Sequence, residues 1–466
     1  MSLEIDFSND LDKELKKNID MLVYNIMNAK KVPGVSIVLV LQNSVNYLSY
    51  GFEEKNHRLI TPYTCFELGS ISKAYTALAI LILERRQKLS LNDSISKYIP
   101  WLQLYDSNKK INLSNQITLG HLLHHTSGIP DNSIRIIYSN NSQKKLEDVI
   151  RKLNGITCIS FPGKGMHYAT INYDILGYII EIVTAESFEV FIQENILDSL
   201  KLNNTFLSRT DVCNKNSLSS GYKLAYGHAI KYNAPEYKSN LPAGYFISNA
   251  MDMGKWILMQ LGTIPLNEEV KDSIMKSHIA DNSVELIGRY GYGGGWYIHC
   301  HGKIIKHGGS NPNFSNMLII DKGKEIGICV LTNINSSAAS IIAENILRLI
   351  QKKKIKPFSM DYNEKLDHIF SYISIFLIIS VILFNYFIMK KVICLSYISG
   401  SLIKSLFSGV SAFSMLYLLH ILFGKINRIF SRRMLTIWLP YSVTIVYWFS
   451  IILFIIIWGI ATDFVL

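Results

Sequence analysis

Ser70 lies three residues before Lys73, at the start of a long apolar segment. On a helix that spacing puts both side chains on one face, a turn apart. A serine hydroxyl is a poor nucleophile until a base takes its proton. A lysine can be that base only when neutral, which requires burial or positive neighbours. The N-terminus of such a helix would also aim backbone donors at an incoming carbonyl. Ser-x-x-Lys alone is a cheap pattern, but here it runs into Ala74-Tyr-Thr-Ala-Leu-Ala-Ile-Leu-Ile-Leu83, which carries no charge. Farther along, His307-Gly308-Gly309-Ser310 falls on a predicted strand edge. The two glycines would let a substrate backbone approach, and the Ser310 amide could then donate to an oxyanion. Tyr168-Ala169-Thr170 precedes a predicted helix, with Asn172 just beyond it. By itself Tyr168 is one more aromatic among 26 tyrosines.

The elements that must position these groups follow from hydrophobic period. Leu11, Leu15, Ile19, Leu22 and Ile26 recur at helical spacing until Pro33-Gly34 ends the pattern. Val35 to Leu41 and Val45 to Tyr50 then read as a hairpin. The alanines and the length of 74–84 favour a buried helix, and 173–187 is a second helix. Gly293 to His299, Lys303 to Lys306, Met317 to Asp321 and Glu325 to Asn333 read as strands, with a closing helix at 337–349. Hairpin material thus stands at both ends of a helical middle, as it would if late strands joined early ones in one antiparallel sheet.

Composition narrows the class. An apolar fraction of 49% excludes wholesale disorder. The net charge of +11 is uneven, since from Lys365 onward eight Lys and Arg face two Asp. The rest contains no arginine-rich run and no aromatic–basic weave, so nucleic acid is not an expected partner. The six cysteines are scattered without a Cys-x-x-Cys and read as buried thiols. His121, His124 and His125 lack the glutamate of a His-Glu-x-x-His site, and on a strand His299 and His301 would point away from Cys300. No metal and no cofactor are expected.

Three apolar stretches close the chain, at 369–389, 406–423 and 435–460, each near the length of a membrane-spanning helix. They predict a multi-pass membrane domain over 369–462, joined by a basic polar connector (351–368) to a domain over 1–350, with the lipid bilayer as a partner. The loop carrying Lys425, Arg428, Arg432 and Arg433 would face the cytoplasm. The first residues do not form a signal peptide.

The three chemical pieces, in this order, resemble the serine β-lactamase and penicillin-binding-protein superfamily. The nearest branch is that of the class C β-lactamases and the D-alanyl-D-alanine carboxypeptidases or esterases around them. The flanking segments Ile117–Asp131, Ala243–Asp252, Tyr290–Trp296 and Gly309–Ser315 carry the same likeness, which runs from about Leu11 to Leu349. The resemblance implies an α/β (α+β) fold of the β-lactamase/transpeptidase type, an antiparallel sheet flanked by helices with a helical insert. It makes Ser70 the acylated nucleophile, Lys73 its proton-transfer partner and Tyr168 the group that activates water and protonates the leaving group. The backbone amides of Ser70 and Ser310 would form the oxyanion hole. Thr170, Asn172, His307, Gly308 and Gly309 would bind substrate. Two departures stand out. Thr170 replaces the usual asparagine, and a hydroxyl cannot match both the donor and the acceptor of an amide. His307 replaces a common lysine, so any positive charge there depends on pH.

The function these features predict is a membrane-anchored serine hydrolase acting on D-amino-acid-containing peptides or small esters. Alternatives are a prodrug-activating peptidase that removes an N-acyl-D-asparagine leader, a β-lactamase, and a non-catalytic binder of peptidoglycan-like ligands. Charge bias would leave the catalytic domain cytoplasmic, whereas the resemblance favours the outside. The expectation is an extracytoplasmic domain, given an upstream signal segment or an unusual export route. Oligomeric state is not legible.

Overall fold

The computed structural model describes residues 11–42, 44–54, 57–138, 145–215, 217–281, 290–299, 302–394 and 432–463. They belong to two compact units, Met1–Tyr222 with Lys231–Ser359, and Lys223–Ile230 with Met360–Leu466.

The first unit opens with helix α1 (Lys13–Lys30), capped by Asp12, whose carboxylate accepts from the Leu15 amide at 2.9 Å. It buries Ile19, Leu22 and Ile26 of the predicted stripe together with Val23, while Leu15 is half-buried and Leu11 precedes the helix. Strands β1 (Gly34–Leu41) and β2 (Ser44–Glu54) form the expected hairpin, and β3 (Arg58–Leu59) pairs on the outer edge of β2. Helices α2 (Lys73–Arg85), α3 (Leu119–Leu123), α4 (Ile171–Thr184), α5 (Ala250–Leu261) and α6 (Glu268–Ser277) occupy the middle. Five late strands follow: β4 (Gly291–Tyr292), β5 (Tyr297–His299), β6 (Ile304–Asn311), β7 (Phe314–Asp321) and β8 (Ile326–Thr332). Helix α7 (Ala338–Ile350) closes the unit.

One eight-stranded sheet results, ordered β3-β2-β1-β8-β7-β6-β5-β4. The join between chain ends is β1 on β8, antiparallel, with Val35 opposite Thr332 and Leu41 opposite Ile326. Strands β7 and β8 are buried along their whole length, so both faces are covered and the polar/apolar alternation of a wet sheet is absent. Helix α7 packs on α1 and on β7 and β8, while α5 packs on β1 and β8. Helix α2 is buried from Lys73 through Leu83 and lies against α4 and α6. This is the α/β fold with a helix-flanked antiparallel sheet that the sequence predicts.

The second unit departs from expectation. Helix α8 (Tyr362–Cys394) begins with Glu364, Lys365, Asp367 and His368 in its first turns. The second expected span, 406–423, lies outside the described residues. The third is broken, because α9 (Arg432–Trp438) ends before Leu439-Pro440 and α10 (Tyr441–Asp463) starts anew. Proline has no N–H with which to continue a helix. Among the described residues no helix is long and apolar enough to cross a membrane. The transmembrane region, the bilayer as partner, the membrane anchoring and the multi-pass location expected from hydropathy are therefore corrected. The question of which side of a membrane holds the catalytic domain falls with them.

These helices pack on one another instead, through Leu366, Phe370 and Leu377 against Leu435, Leu439, Val443 and Val446. The buried Asp367 carboxylate accepts from the amides of Tyr226 and Gly227, at 3.0 and 2.7 Å, and from the Ser442 hydroxyl at 2.6 Å. That one side chain fastens the tip of the 223–230 hairpin to both α8 and α10.

Candidate active site

Ser70 sits in a tight 3-10 turn, Gly69–Ser72, that runs directly into α2. The turn is held from behind by Leu68, whose amide donates to the Phe246 carbonyl at 2.7 Å. Ser72 holds it too, with its hydroxyl donating to the Gly69 carbonyl at 2.7 Å and accepting from the Phe246 amide at 3.1 Å. Two glycines set how closely β6 approaches. A Cβ on Gly309 would lie 1.8 Å from the Leu68 carbonyl oxygen, and one on Gly69 (φ +56°) would lie 2.4 Å from the Ser310 nitrogen. Only bare backbone fits, so the amides of Ser70 and Ser310 border the same strand edge. Gly308 and Ser310 are exposed and Ser70 is half-buried, which leaves this edge open to a substrate.

Lys73 is fully buried beneath Ser70. Its Nζ donates to the Ser70 hydroxyl at 3.0 Å and to the Ala243 carbonyl at 2.7 Å. It also lies over the rings of Tyr168 and Tyr173, 5.2 and 5.8 Å from their centroids. Burial pulls this lysine down to about 7, while Asp174 acts in the opposite sense. Near neutral pH a large fraction of it is therefore free base, the form able to accept a proton. Tyr168 is half-buried, its ring 5.2 Å from the Lys73 nitrogen that contacts Ser70. Loss of solvent pushes its phenol well above the ordinary range, and the nearby Ser70 hydroxyl partly offsets that rise.

His307 is buried, and its ring is held at both nitrogens. Nδ1 lies 2.6 Å from the Gly308 carbonyl and so carries the proton, leaving Nε2 to accept from the Tyr292 hydroxyl at 2.9 Å. Burial first, and Lys73 second, bring it down to about 3. This histidine is an uncharged group at neutral pH, so the charge that the sequence leaves conditional is absent there.

Thr170 is half-buried at the start of α4. Asn172 is fully buried and engaged inside the protein, accepting from the Ser127 hydroxyl at 3.0 Å and meeting His125 Nδ1 at 3.1 Å. It holds the loop after α3 rather than facing the open edge with Ser310. The histidines near residue 121 are structural. His121 completes a capping box with Thr118, His124 meets the Tyr292 carbonyl at 2.9 Å, and His125 packs against Tyr168 with ring centroids 4.2 Å apart and planes tilted by 41°. His299 packs edge-on against Tyr290, while Cys300 and His301 lie outside the described residues.

Sequence reasoning missed several contributors. Tyr292 and Tyr297 form an aromatic wall, with Tyr297 parallel to Tyr168 at 6.2 Å and edge-on to Tyr292 at 5.0 Å. Tyr292 falls inside the tyrosine–glycine segment at 290–296, and Tyr297 directly follows it. The Ala243 carbonyl and the Asp174 carboxylate, both near Lys73, gave none.

A serine at a helix start, a buried lysine on its hydroxyl and a glycine strand edge define a serine-hydrolase-type fold of the β-lactamase and penicillin-binding-protein superfamily. Residues 19–352 match the Beta-lactamase family, and the chain belongs to it. Protein flp of Staphylococcus aureus (strain MW2) is 28% identical over 365 residues, covering 77% of this chain and 71% of that protein. A penicillin-binding protein of Bacillus subtilis (strain 168) is 26% identical over 291 residues, covering 58% of this chain and 61% of that one. Among solved structures, the octameric penicillin-binding protein homologue from Pyrococcus abyssi superposes with a TM-score of 0.64 at 27% identity. That likeness covers 73% of this chain and 78% of the other.

Proposed function

We propose that the protein is a serine hydrolase working through an acyl-enzyme on Ser70, with small esters or amides of D-amino-acid peptides as substrates. The observation that carries this reading is the 3.0 Å contact between Lys73 Nζ and the Ser70 hydroxyl inside a fully buried lysine site. Ser70 Oγ bonds to the substrate carbonyl carbon while its proton passes to neutral Lys73. The amides of Ser70 and Ser310 donate to the oxygen that becomes negative. Tyr168, whose ring lies 5.2 Å from the lysine nitrogen, relays that proton to the leaving group as its bond to carbon breaks. In the second half neutral Lys73 takes the proton of water through the Tyr168 hydroxyl, which passes on its own proton as it accepts one; the water oxygen bonds to the acyl carbon, and the Ser70 oxygen leaves as its bond to that carbon breaks and regains its proton from Lys73.

The uncharged His307 supports a substrate without a carboxylate next to the scissile bond, because no cation stands at that position to pair with one. Thr170 in place of asparagine weakens the grip on an amide and favours esters. Names of relatives that include penicillin binding agree with acylation by a β-lactam, but efficient β-lactam turnover is not expected with Thr170. Purified protein treated with a fluorophosphonate probe tests the reading. Wild type should label, and Ser70→Ala should not label while retaining the wild-type melting temperature. A folded wild-type protein that labels with neither a fluorophosphonate nor a fluorescent penicillin would be a binding protein that has lost the chemistry.

A further inference from the structure

Beneath Lys73 lies a group of side chains that the scheme above does not use. Asp174, on α4, is fully buried. With its amide oriented by its neighbours, Asn240 donates from its nitrogen to both Asp174 oxygens, at 3.0 and 3.3 Å. Asn240 is also the residue from which the short helical turn Leu241–Gly244 springs. That turn is wedged between helices. Thr76 of α2 donates to the Pro242 carbonyl at 2.7 Å. Gly177 of α4 leaves room for the Pro242 ring, which a Cβ there would meet at 2.3 Å. From the strand side, Asn311 of β6 donates to the Gly244 carbonyl at 3.1 Å. The turn's third residue, Ala243, supplies the carbonyl that holds Lys73 Nζ.

We propose that Asp174 and Asn240 are positioning residues: the Asp174 carboxylate fixes Asn240, Asn240 fixes the turn, and the Ala243 carbonyl then keeps the lysine nitrogen on the Ser70 hydroxyl. The inference rests on the acyl-enzyme reading above. Lys73 must do two things that conflict, staying dry enough to lose its proton and staying aimed at one oxygen. A backbone carbonyl aims it without adding a charge, provided the carbonyl itself cannot drift. A misplacement of about 1 Å at such a contact is enough to slow a reaction by about 100-fold.

Asp174 has a second consequence. The titratable groups around Lys73 are Asp174 and Tyr173 from α4, Tyr168 from the loop before it, His125 after α3 and His307 on β6. Burial keeps both phenols protonated and both imidazoles neutral near pH 7. Asp174 is thus the acid in this set that can balance the ammonium formed when Lys73 accepts the Ser70 proton, and it strengthens the lysine's hold on that proton. Burial pushes the Asp174 carboxyl up, and Lys73 pulls it back down.

The test compares the full-length wild type with D174N and N240A, reading the fluorophosphonate labelling rate of Ser70 against pH and the melting temperature of each protein. D174N keeps the size of the side chain and removes the carboxylate that opposes proton loss from Lys73, so the acid limb of its profile should move to lower pH. N240A keeps the charge and removes the link, so its labelling rate should fall by about 10- to 100-fold at the plateau pH. A merely structural role would lower melting temperature without moving the acid limb. Folded variants with the wild-type rate and profile would overturn the inference while leaving the acyl-enzyme reading intact. If D174N does not fold, N240A decides alone, and an unchanged rate overturns the inference. A wild type that never labels overturns both readings.

Discussion

The two units each bury a lysine, and the contrast between them is instructive. Lys73 and Lys223 are both buried and both donate to a backbone carbonyl, Ala243 at 2.7 Å and Thr436 at 2.9 Å. Both lie against tyrosine rings, and loss of solvent brings each down to about 7. A depressed lysine is therefore a consequence of burial and is not in itself a sign of catalysis. What distinguishes Lys73 is its surroundings. A serine hydroxyl stands at 3.0 Å on a turn that begins a helix, and a glycine strand edge borders that turn. The proposed acyl-enzyme chemistry rests on that conjunction.

The largest expected effect comes from Lys73→Met, which fills the space but removes the base. Labelling of Ser70 should fall by roughly 10²–10⁴-fold. The same variant should melt at a higher temperature than wild type. An unfolded lysine keeps its proton up to about 10.5, whereas the folded one loses it near 7, so between these values the unfolded chain binds more protons and stability rises with pH. The gain from methionine should accordingly be greatest below pH 7 and fade toward pH 10. A Lys73→Met protein that labels at the wild-type rate would erase the distinction between the two lysines.

An intermediate effect is the pH profile of wild-type labelling. The rate should climb as pH rises through about 7, where Lys73 becomes free base, and then level off. His307, brought down to about 3, and Tyr168, held well above its ordinary value, should add no step between pH 5 and 9. A flat profile through neutral pH would remove Lys73 from the role of base.

The smallest effect sharpens the comparison from the other side. Lys223→Met should leave the labelling rate unchanged while raising the melting temperature, with the same fading of the gain toward high pH. Loss of labelling in that variant would show that the second buried lysine serves the reaction after all.

The hydropathy of the C-terminal stretches shows where one-dimensional reading fails. Apolar runs identify helices that need to bury a surface, and they do not say against what. Here Leu366, Phe370 and Leu377 meet Leu435, Leu439, Val443 and Val446, Leu439-Pro440 interrupts the third run, and Asp367 is buried between α8, α10 and a hairpin tip. A carboxylate near the start of an apolar run looks like a boundary in sequence. In the fold it is a fastener, because three donors distant in the chain converge on it.

Spacing put Ser70 and Lys73 on one helix face and hydrophobic period foresaw one sheet built from both ends of the domain, while the expected roles of Ser70, Lys73, Tyr168 and Ser310 came from the family resemblance. Helical and strand periods are local, and catalytic residue types are few. Tertiary structure decided what makes the pair work. The Ala243 carbonyl carries no side-chain signal, since any residue offers one. Asp174 and Asn240 are ordinary letters until folding buries them together. His307 has the same letter whether charged or neutral, and only the Gly308 carbonyl, the Tyr292 hydroxyl and the loss of water leave it uncharged. Asn172, two residues from Thr170, turned inward to Ser127 and His125 for the same reason: a buried amide must find its partners wherever the fold brings them.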